Sequence, residues 1–235
     1  MLTTEALLML LVLGLYLYDS ALLLYSNEAL LVARGKQRWS AGFGSRHTTL
    51  RGRHVYIPNP LLPARALFRL SWQTGAAQAA RPDLWAAQRA ALACLTVPVC
   101  GLAVVVFLLL PLALFGGLGD LPLALAFLLI YLGVLAIVLV LWFKRRQLAL
   151  TTGRFALLAL DLLICPPFAL NIMRRLALRQ SSREDFVAAA RRLLAPADWD
   201  AARLEILARL DDELALEAED SPRTAALQAL RARLG

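Results

Sequence analysis

Two long apolar runs restrict what this chain of 235 residues can fold into. Residues 90–115 contain Thr96 as their only clearly polar side chain, and residues 121–143 contain no charge. A helix that crosses a bilayer core of about 30 Å needs roughly 20 such residues. The alternative is a pair of fully buried helices, which would need a very large soluble core. The runs therefore predict a transmembrane hairpin over residues 90–143.

A third apolar run, residues 6–25, lies near the amino terminus. A cleaved signal peptide begins with a basic segment, but the residues before this run include Glu5 and no base. We therefore expect residues 1–25 to form an uncleaved transmembrane helix. Hydrophobic residues make up 60% of the chain, whereas soluble domains contain about 45–50%. This composition agrees with a chain that has three crossing helices.

The positions of the basic residues predict the orientation of these helices. No Lys or Arg precedes the first run, whereas ten follow it within residues 26–89. Residues 144–146 are all basic, and the connection at 116–122 contains no base. Because basic loops are retained in the cytoplasm, we expect an external amino terminus and a cytoplasmic loop at 26–89. Only two of the 25 basic residues are Lys, a bias typical of GC-rich bacteria, so we expect the bacterial inner membrane.

The cytoplasmic loop at 26–89 is predicted to contain a small β-meander and an interfacial helix. Residues 28–57 hold short stretches rich in Val, Trp, Tyr and Thr that are separated by Gly, which is typical of antiparallel strands. Alternatively, Glu28–Arg34 extends the first helix, since Ala, Leu and Glu favour helices. Prolines at 58–63 end the strands. Residues 65–72 interleave apolar and Arg side chains, which predicts a short helix at the lipid surface.

Residues 155–173 allow two paths in the predicted topology. They are long enough to cross, but they include Asp161, Asn171 and the pair Pro166-Pro167. Basic residues lie on both sides, so a fourth crossing would place one basic cluster outside the cell, against the charge rule. We favour a re-entrant hairpin broken at the prolines, or an interfacial helix, so that 144–180 stays on the cytoplasmic side.

Residues 181–235 predict a cytoplasmic tail of short amphipathic helices. Residues 182–185 fit a capping box, Pro196 ends the helix that follows, and Ser221 with Pro222 starts the last helix. Leu227, Leu230 and Leu234 then share one face. The expected fold class is a mainly α membrane protein with three transmembrane helices and a re-entrant or interfacial helix pair. A small cytoplasmic β-meander and a C-terminal bundle of short amphipathic helices complete it.

Asp19 and Asp161 are the candidate polar residues of the predicted membrane region. An acid in a transmembrane helix is costly unless it is paired, protonated or in contact with water. We expect an ionic partner for Asp19 from the cytoplasmic edge, such as Arg154 or Arg174. A re-entrant path would bring Asp161 close to Asp19, and two nearby carboxylates would share a proton or bind a cation. The alternative is structural: Asp19 fixes helix packing and Asp161 faces water.

Five arginines of the cytoplasmic loop are candidate contacts for anionic lipid headgroups or phosphate: Arg46, Arg51, Arg53, Arg65 and Arg69. A guanidinium suits phosphate oxygens, and each base near an anionic membrane contributes about 1 kcal/mol of attraction. We interpret this region as a charged hairpin at the membrane surface and expect no nucleic-acid partner. The histidines at 47 and 54 have no nucleophile or fixed acid beside them in sequence, so no catalytic pair or metal site is expected.

The sequence contains no recognisable catalytic or transport motif. A Gly-rich phosphate loop, a zincin helix and a nucleophile elbow are all absent, so we expect no enzymatic activity and no cofactor. The main hypothesis is a non-enzymatic interaction, assembly or scaffold component that presents cytoplasmic docking surfaces to a protein partner or to a second copy. The alternative is an oligomeric small-solute or ion transporter that uses Asp19 and Asp161. A lipid-acting enzyme that uses the arginines and histidines of the loop ranks third.

Overall fold

The computed structural model describes residues 3–34, 38–72, 82–117, 119–179, 184–218 and 221–235. The chain is mostly helical (65%), with small antiparallel sheets. It divides into two compact units, each assembled from separate stretches of sequence. Unit 1 contains Met1–Ala21, Ile57–Ala66 and Asp83–Arg179, and unit 2 contains Leu22–Tyr56, Leu67–Pro82 and Gln180–Gly235.

Unit 1 is helical throughout its long stretches. Its described α-helices are α1 (Thr4–Ser20), α2 (Pro82–Ala93), α3 (Thr96–Val104), α4 (Leu110–Phe115), α5 (Asp120–Lys144), α6 (Thr152–Ile164) and α7 (Ile172–Arg179). A π-helical turn, Val105–Leu109, joins α3 to α4, and a 3₁₀ helix, Pro166–Asn171, joins α6 to α7. Helices α3 and α4 therefore form one continuous run with the π-helical turn between them.

Two helical runs of unit 1 are long and apolar enough to cross a membrane. They are Thr96–Phe115 and Asp120–Lys144, with mean hydropathies of 2.7 and 3.0. Core helices of soluble proteins can reach the same length and composition, so these two properties alone do not separate the classes. A third span is not shown by this test.

Helix α1 is shorter than the sequence predicts. It ends at Ser20, and Ala21 already has extended backbone angles (φ −66°, ψ 134°). Residues Leu22–Leu24 instead form a strand, because their backbone pairs with that of His54, Val55 and Tyr56. The prediction of one helix to residue 25 is therefore wrong in its last turn, where strand pairing replaces intrahelical hydrogen bonds.

The segment at 144–180 is interrupted at its prolines, as the sequence predicts. Thr151 caps α6 by accepting a hydrogen bond from the Arg154 N–H, and α6 ends at Ile164. Cys165 then leaves the helical region (φ −128°, ψ 81°), since the residue before a proline avoids helical angles. Residues 155–173 thus do not form one continuous helix.

Unit 2 contains two antiparallel sheets of three strands each. The strands are β1 (Leu22–Leu24), β2 (Glu28–Arg34), β3 (Arg38–Gly42), β4 (Thr49–Leu50), β5 (Arg53–Tyr56) and β6 (Leu67–Ser71). The strand order is β3-β2-β6 in one sheet and β1-β5-β4 in the other. The predicted strands are present, but the arrangement is not a simple meander, since β6 pairs with β2 rather than with its neighbour in sequence.

Two expectations for the loop at 26–89 are wrong. Glu28–Arg34 does not extend the first helix, because it forms the central strand of its sheet. Residues 65–72 do not form an interfacial helix, because Leu67–Ser71 is a strand paired with β2. The alternation of apolar and Arg side chains fits a short helix or a strand equally well, and pairing with the distant β2 decides between them.

The C-terminal helices α8 (Phe186–Leu193), α9 (Pro196–Leu214) and α10 (Pro222–Leu234) complete unit 2. Asp185 caps α8 by accepting from the Ala188 N–H, whereas the predicted cap Ser182 lies outside the described residues. Ser221 caps α10 and Pro222 is its first residue, which confirms that prediction. The predicted leucine stripe of α10 is buried: Leu227, Leu230 and Leu234.

Candidate functional site

A buried arginine organises the polar interior of unit 1. Arg174 on α7 is only 2% exposed. Its Nη1 donates to Asn171 Oδ1 at 2.8 Å and to Ser20 Oγ at 3.1 Å, and it lies 3.5 Å from the Tyr16 hydroxyl. Asn171 is fixed in turn, since its Nδ2 donates to the Tyr16 carbonyl at 3.1 Å. This guanidinium therefore joins α7 to the last turn of α1.

The other end of the same guanidinium holds the proline-rich segment. Nη2 of Arg174 donates to the main-chain carbonyls of Asn59 at 2.8 Å and Leu62 at 3.0 Å. Close by, the Tyr16 hydroxyl donates to the Pro60 carbonyl at 2.6 Å. The carbonyls of Asn59 and Leu62 also accept turn hydrogen bonds from the N–H groups of Leu62 and Arg65, at 3.2 and 3.3 Å, so the guanidinium adds a charged donor to each. These hydrogen bonds hold residues 57–66 against α1 and α7 within unit 1.

A second arginine, Arg175, pairs with both candidate carboxylates. Its Nε lies 3.1 Å from Asp19 Oδ1, and its Nη1 lies 4.0 Å from Asp161 Oδ2. The guanidinium carbon is 4.9 Å from the centre of the Phe168 ring, which adds a cation–π contact. The Asp19 side chain is 10% exposed and that of Asp161 is 55% exposed. The structure thus brings the two acids to one guanidinium.

This arrangement changes what Asp19 and Asp161 can do chemically. The expected partner of Asp19 was Arg154 or Arg174, and the shortest ion pair is instead made by the adjacent Arg175. The guanidinium of Arg175 supplies a fixed positive charge that offsets one of the two negative charges without a bound cation. The geometry therefore favours the structural interpretation of both acids. Among the described residues, Asp19 Oδ2 is buried and has no hydrogen-bond partner.

The five candidate arginines of the loop do not form one cluster. Three of them bind other groups of unit 2: Arg46 pairs with Asp212, Arg53 lies over the ring of Tyr25, and Arg69 contacts Glu28 and the Leu23 carbonyl. The Arg46–Asp212 contact is 2.7 Å long, and its hydrogen bond raises the pKa of the Arg46 guanidinium. Arg51 is exposed at a turn with φ 53°, and Arg65 is half-buried in unit 1. Arg51 is thus the most available to an external anion.

An open groove in unit 2 has room for a ligand. Its volume is about 500 Å³, within the range of about 300–1,000 Å³ that is usual for binding sites. One wall is the end of β3, with Ser40 and Ala41, together with Gly44 just after the strand. The other wall is the first part of α9, with the small side chains of Ala201 and Ala202. We refer to this feature as the β3–α9 groove.

Arg209 positions the two walls of the β3–α9 groove. This arginine on α9 is 2% exposed and donates from Nη2 to the Gly44 carbonyl. Its Nε donates to Glu205 Oε1 at 2.9 Å, and its guanidinium carbon lies 5.5 Å from the centre of the Phe43 ring. A buried, charged hydrogen bond of this kind holds the helix at a defined distance from the strand.

Comparison with known proteins identifies no relative of this chain: no family model, curated protein or solved structure matches it. Within the described part of the chain, no three His, Cys, Asp or Glu side chains lie together as metal ligands would. The candidate sites therefore depend on the geometry of this chain alone.

Sequence reasoning missed the role of Arg175 and the β3–α9 groove. The sequence does contain a signal for the role of Arg175: an Arg-Arg pair directly follows an interrupted apolar segment that contains Asn171. No local signal exists for the groove, since its walls come from a strand and a helix far apart in sequence. Strand order and helix packing create it.

Proposed function

We propose that this chain is a multi-pass protein of the bacterial inner membrane whose crossing helices are α1, Thr96–Phe115 and Asp120–Lys144. In an 18-residue window of each of the two apolar runs, only 28% and 22% of the residues are buried within the protein, whereas a soluble core helix is mostly buried. Exposed apolar surface of this extent on the two helical runs favours a lipid environment. Helix α1 has 17 residues, at the short end of the range of about 17–25 for a crossing.

The proposed topology has a direct test. We expect a reporter fused after Gly235 to be cytoplasmic and one inserted at Gly117, between α4 and α5, to be external, because bases flank the inner ends of these helices. Alkaline phosphatase and green fluorescent protein, which are active on opposite sides, would read out both positions. An external carboxyl terminus would contradict the proposal and would mean that residues 155–173 cross the membrane.

We further propose that the chain is a non-enzymatic interaction or assembly component that presents unit 2 as a cytoplasmic docking surface. The observation that carries this proposal is the β3–α9 groove, which is open and is lined by both charged and small side chains. The transporter alternative needs Asp19 or Asp161 to bind a proton or a cation, and the position of Arg175 between them weighs against it.

Photo-crosslinking in intact cells tests this docking function. We expect a photoreactive amino acid at Ala201, an exposed position in the groove, to yield a discrete crosslinked band. The same amino acid at Leu216, which is 88% exposed and does not line the groove, is the matched control. Identical band patterns from both positions, or none from Ala201, would remove the support for docking at this groove.

A further inference from the structure

Helix α6 of unit 1 is too short to cross a bilayer. It has 13 residues, and a rise of about 1.5 Å per residue makes it about 20 Å long, whereas a bilayer core is about 30 Å thick. It packs against α5 and buries Leu158 and Leu162. Unit 1 thus covers one face of α6, and the remaining faces indicate what surrounds the helix.

A second face of α6 is apolar and exposed. Leu157, Leu160 and Ile164 recur at helical spacing and are 67%, 54% and 73% exposed. With 3.6 residues per turn, these three side chains lie on the side of the helix opposite the buried leucines. We refer to them as the outer face of α6. Packing within unit 1 covers the buried leucines but leaves this second apolar face uncovered.

A narrow polar edge lies between the two apolar faces of α6. Arg154 and Asp161 are seven residues apart, which is close to two helical turns, so they share this edge. Both side chains are exposed. Such an arrangement suits the boundary between lipid and water, because the outer face can lie among acyl chains while the polar edge contacts water.

The end of α5 and the start of α6 form a tight corner. The Leu150 N–H donates to the Arg145 carbonyl at 2.8 Å, and Ala149 has a left-handed φ of 52°, so the chain turns directly after α5. The ring centres of Trp142 and Phe155 lie 5.2 Å apart, which joins the last turn of α5 to the first turn of α6. Four bases lie at this corner, and we refer to them as the basic corner: Lys144, Arg145, Arg146 and Arg154.

The positive charge of the basic corner is not compensated locally. Residues 121–160 contain no acid, and none of the four bases makes an ion pair with another described residue. The guanidinium carbon of Arg145 lies 3.7 Å from the ring centre of Trp142, a contact that occupies the flat face of the guanidinium and leaves N–H donors at its edge. Arg146 and Arg154 are exposed. An anion would therefore complement this corner.

We propose that the basic corner and the outer face of α6 together bind one anionic phospholipid, whose phosphate contacts the bases and whose acyl chains cover the outer face. Helix α5 ends at Lys144, so the bases lie where a crossing helix leaves the hydrocarbon core and meets the lipid phosphates. Guanidinium groups suit phosphate oxygens, and basic clusters at cytoplasmic helix ends fit anionic head groups. This inference rests on the proposed membrane topology and names a lipid that unit 1 recognises.

Native mass spectrometry of the purified full chain in detergent micelles tests the head-group contact. The probes are phosphatidylglycerol and phosphatidylcholine with identical acyl chains. We expect phosphatidylglycerol to bind about tenfold more tightly, and Arg146→Gln/Arg154→Gln to reduce this preference about fivefold or more. Arg51→Gln/Arg233→Gln removes two exposed arginines of unit 2 and is the matched control, which should keep the preference. Excess glycerol 3-phosphate should not displace the lipid, because it lacks acyl chains.

Fluorescence quenching in vesicles tests the acyl-chain contact. The full chain is reconstituted into phosphatidylglycerol whose acyl chains are brominated, and the signal of the unchanged chain is subtracted. We expect the added tryptophan of Leu160→Trp to be quenched at least about twofold more strongly than that of Asp161→Trp, because position 160 lies on the outer face and position 161 on the polar edge.

Three results overturn the inference: equal affinity for the two lipids, an equal loss of preference in the two double variants, or equal quenching at positions 160 and 161. A dimer in which the tryptophan at 160 is shielded from bromine would show a second copy on the outer face and would also overturn it. Reporters that place Gly235 inside and Gly117 outside, without a lipid preference, would leave the proposed topology standing. An external carboxyl terminus would refute both, because residues 155–173 would then cross the bilayer.

Discussion

Replacing Arg174 by Met is expected to destabilise unit 1 by at least about 4 kcal/mol, because hydrogen bonds to a charged donor contribute about 1.5–3 kcal/mol each. The guanidinium donates to Asn171, Ser20 and the carbonyls of Asn59 and Leu62. Met fills a similar volume but removes the charged donor from these oxygens, which keep only neutral donors such as the Leu62 N–H at the Asn59 carbonyl and the Ser20 hydroxyl at Asn171 Oδ1. Thermal unfolding of the purified chain in detergent would measure the loss, and proteolysis should cut first within residues 57–66.

The matched control for this variant is on the same helix. Arg179 is exposed at the end of α7, so Arg179→Met should change the stability by less than about 0.5 kcal/mol. Arg174→Lys keeps the charge but not the planar fork that reaches both sets of acceptors, so it should rescue only part of the loss. Equal stability of the Arg174→Met and Arg179→Met variants would show that the buried cluster does not hold unit 1 together.

Replacing Arg175 by Met should destabilise the same unit by about 2–4 kcal/mol, because removing one partner of a buried ion pair leaves the other charge uncompensated. The charge left behind is Asp19, whose side chain is 10% exposed. The double variant Arg175→Met/Asp19→Asn carries no such charge and should recover most of the stability. A double-mutant cycle on the four proteins, followed by thermal unfolding, measures this coupling.

Asp161 provides the internal comparison for the cycle. Its carboxylate is 55% exposed and lies 4.0 Å from Arg175, so Asp161→Asn should cost less than about 0.5 kcal/mol, as exposed ion pairs do. Additive effects of the Arg175 and Asp19 substitutions would contradict a direct ion pair. Measurable ion flux in reconstituted vesicles that is lost in Asp19→Asn would instead return the transporter hypothesis to first place.

Much of the secondary structure followed from local rules. The break at Pro166 and the start of α10 at Ser221 were predictable, because proline and N-cap chemistry act within one helical turn. The apolar runs were predictable for a similar reason, since hydropathy sums over consecutive residues. Residues 22–24 and 67–71 were assigned wrongly, because their apolar side chains suit a helix and a strand alike. Pairing with distant strands decided both.

The candidate sites depend even more on contacts between residues that are distant in sequence. Sequence reasoning selected Asp19 and Asp161 from the cost of an acid in apolar surroundings, which is a property of each position. It did not identify Arg175 as their common partner, because two arginines in succession point in different directions and only packing shows which one reaches Asp19. The β3–α9 groove was beyond reach, since it depends on which strand lies at the edge of a sheet.

The sequence by itself determined the positions of the apolar and basic segments, and these predict a mainly helical chain with candidate membrane spans. The composition of each segment is enough for this prediction, because the free energy of transferring a segment from water to an apolar environment depends on its own side chains. Only the tertiary structure decided how the polar groups are satisfied. Arg174 donates to the carbonyl of Asn59, 115 residues away in the chain. Every residue type carries such a carbonyl, so no residue pattern marks it, and only the folded geometry selects the one that is used.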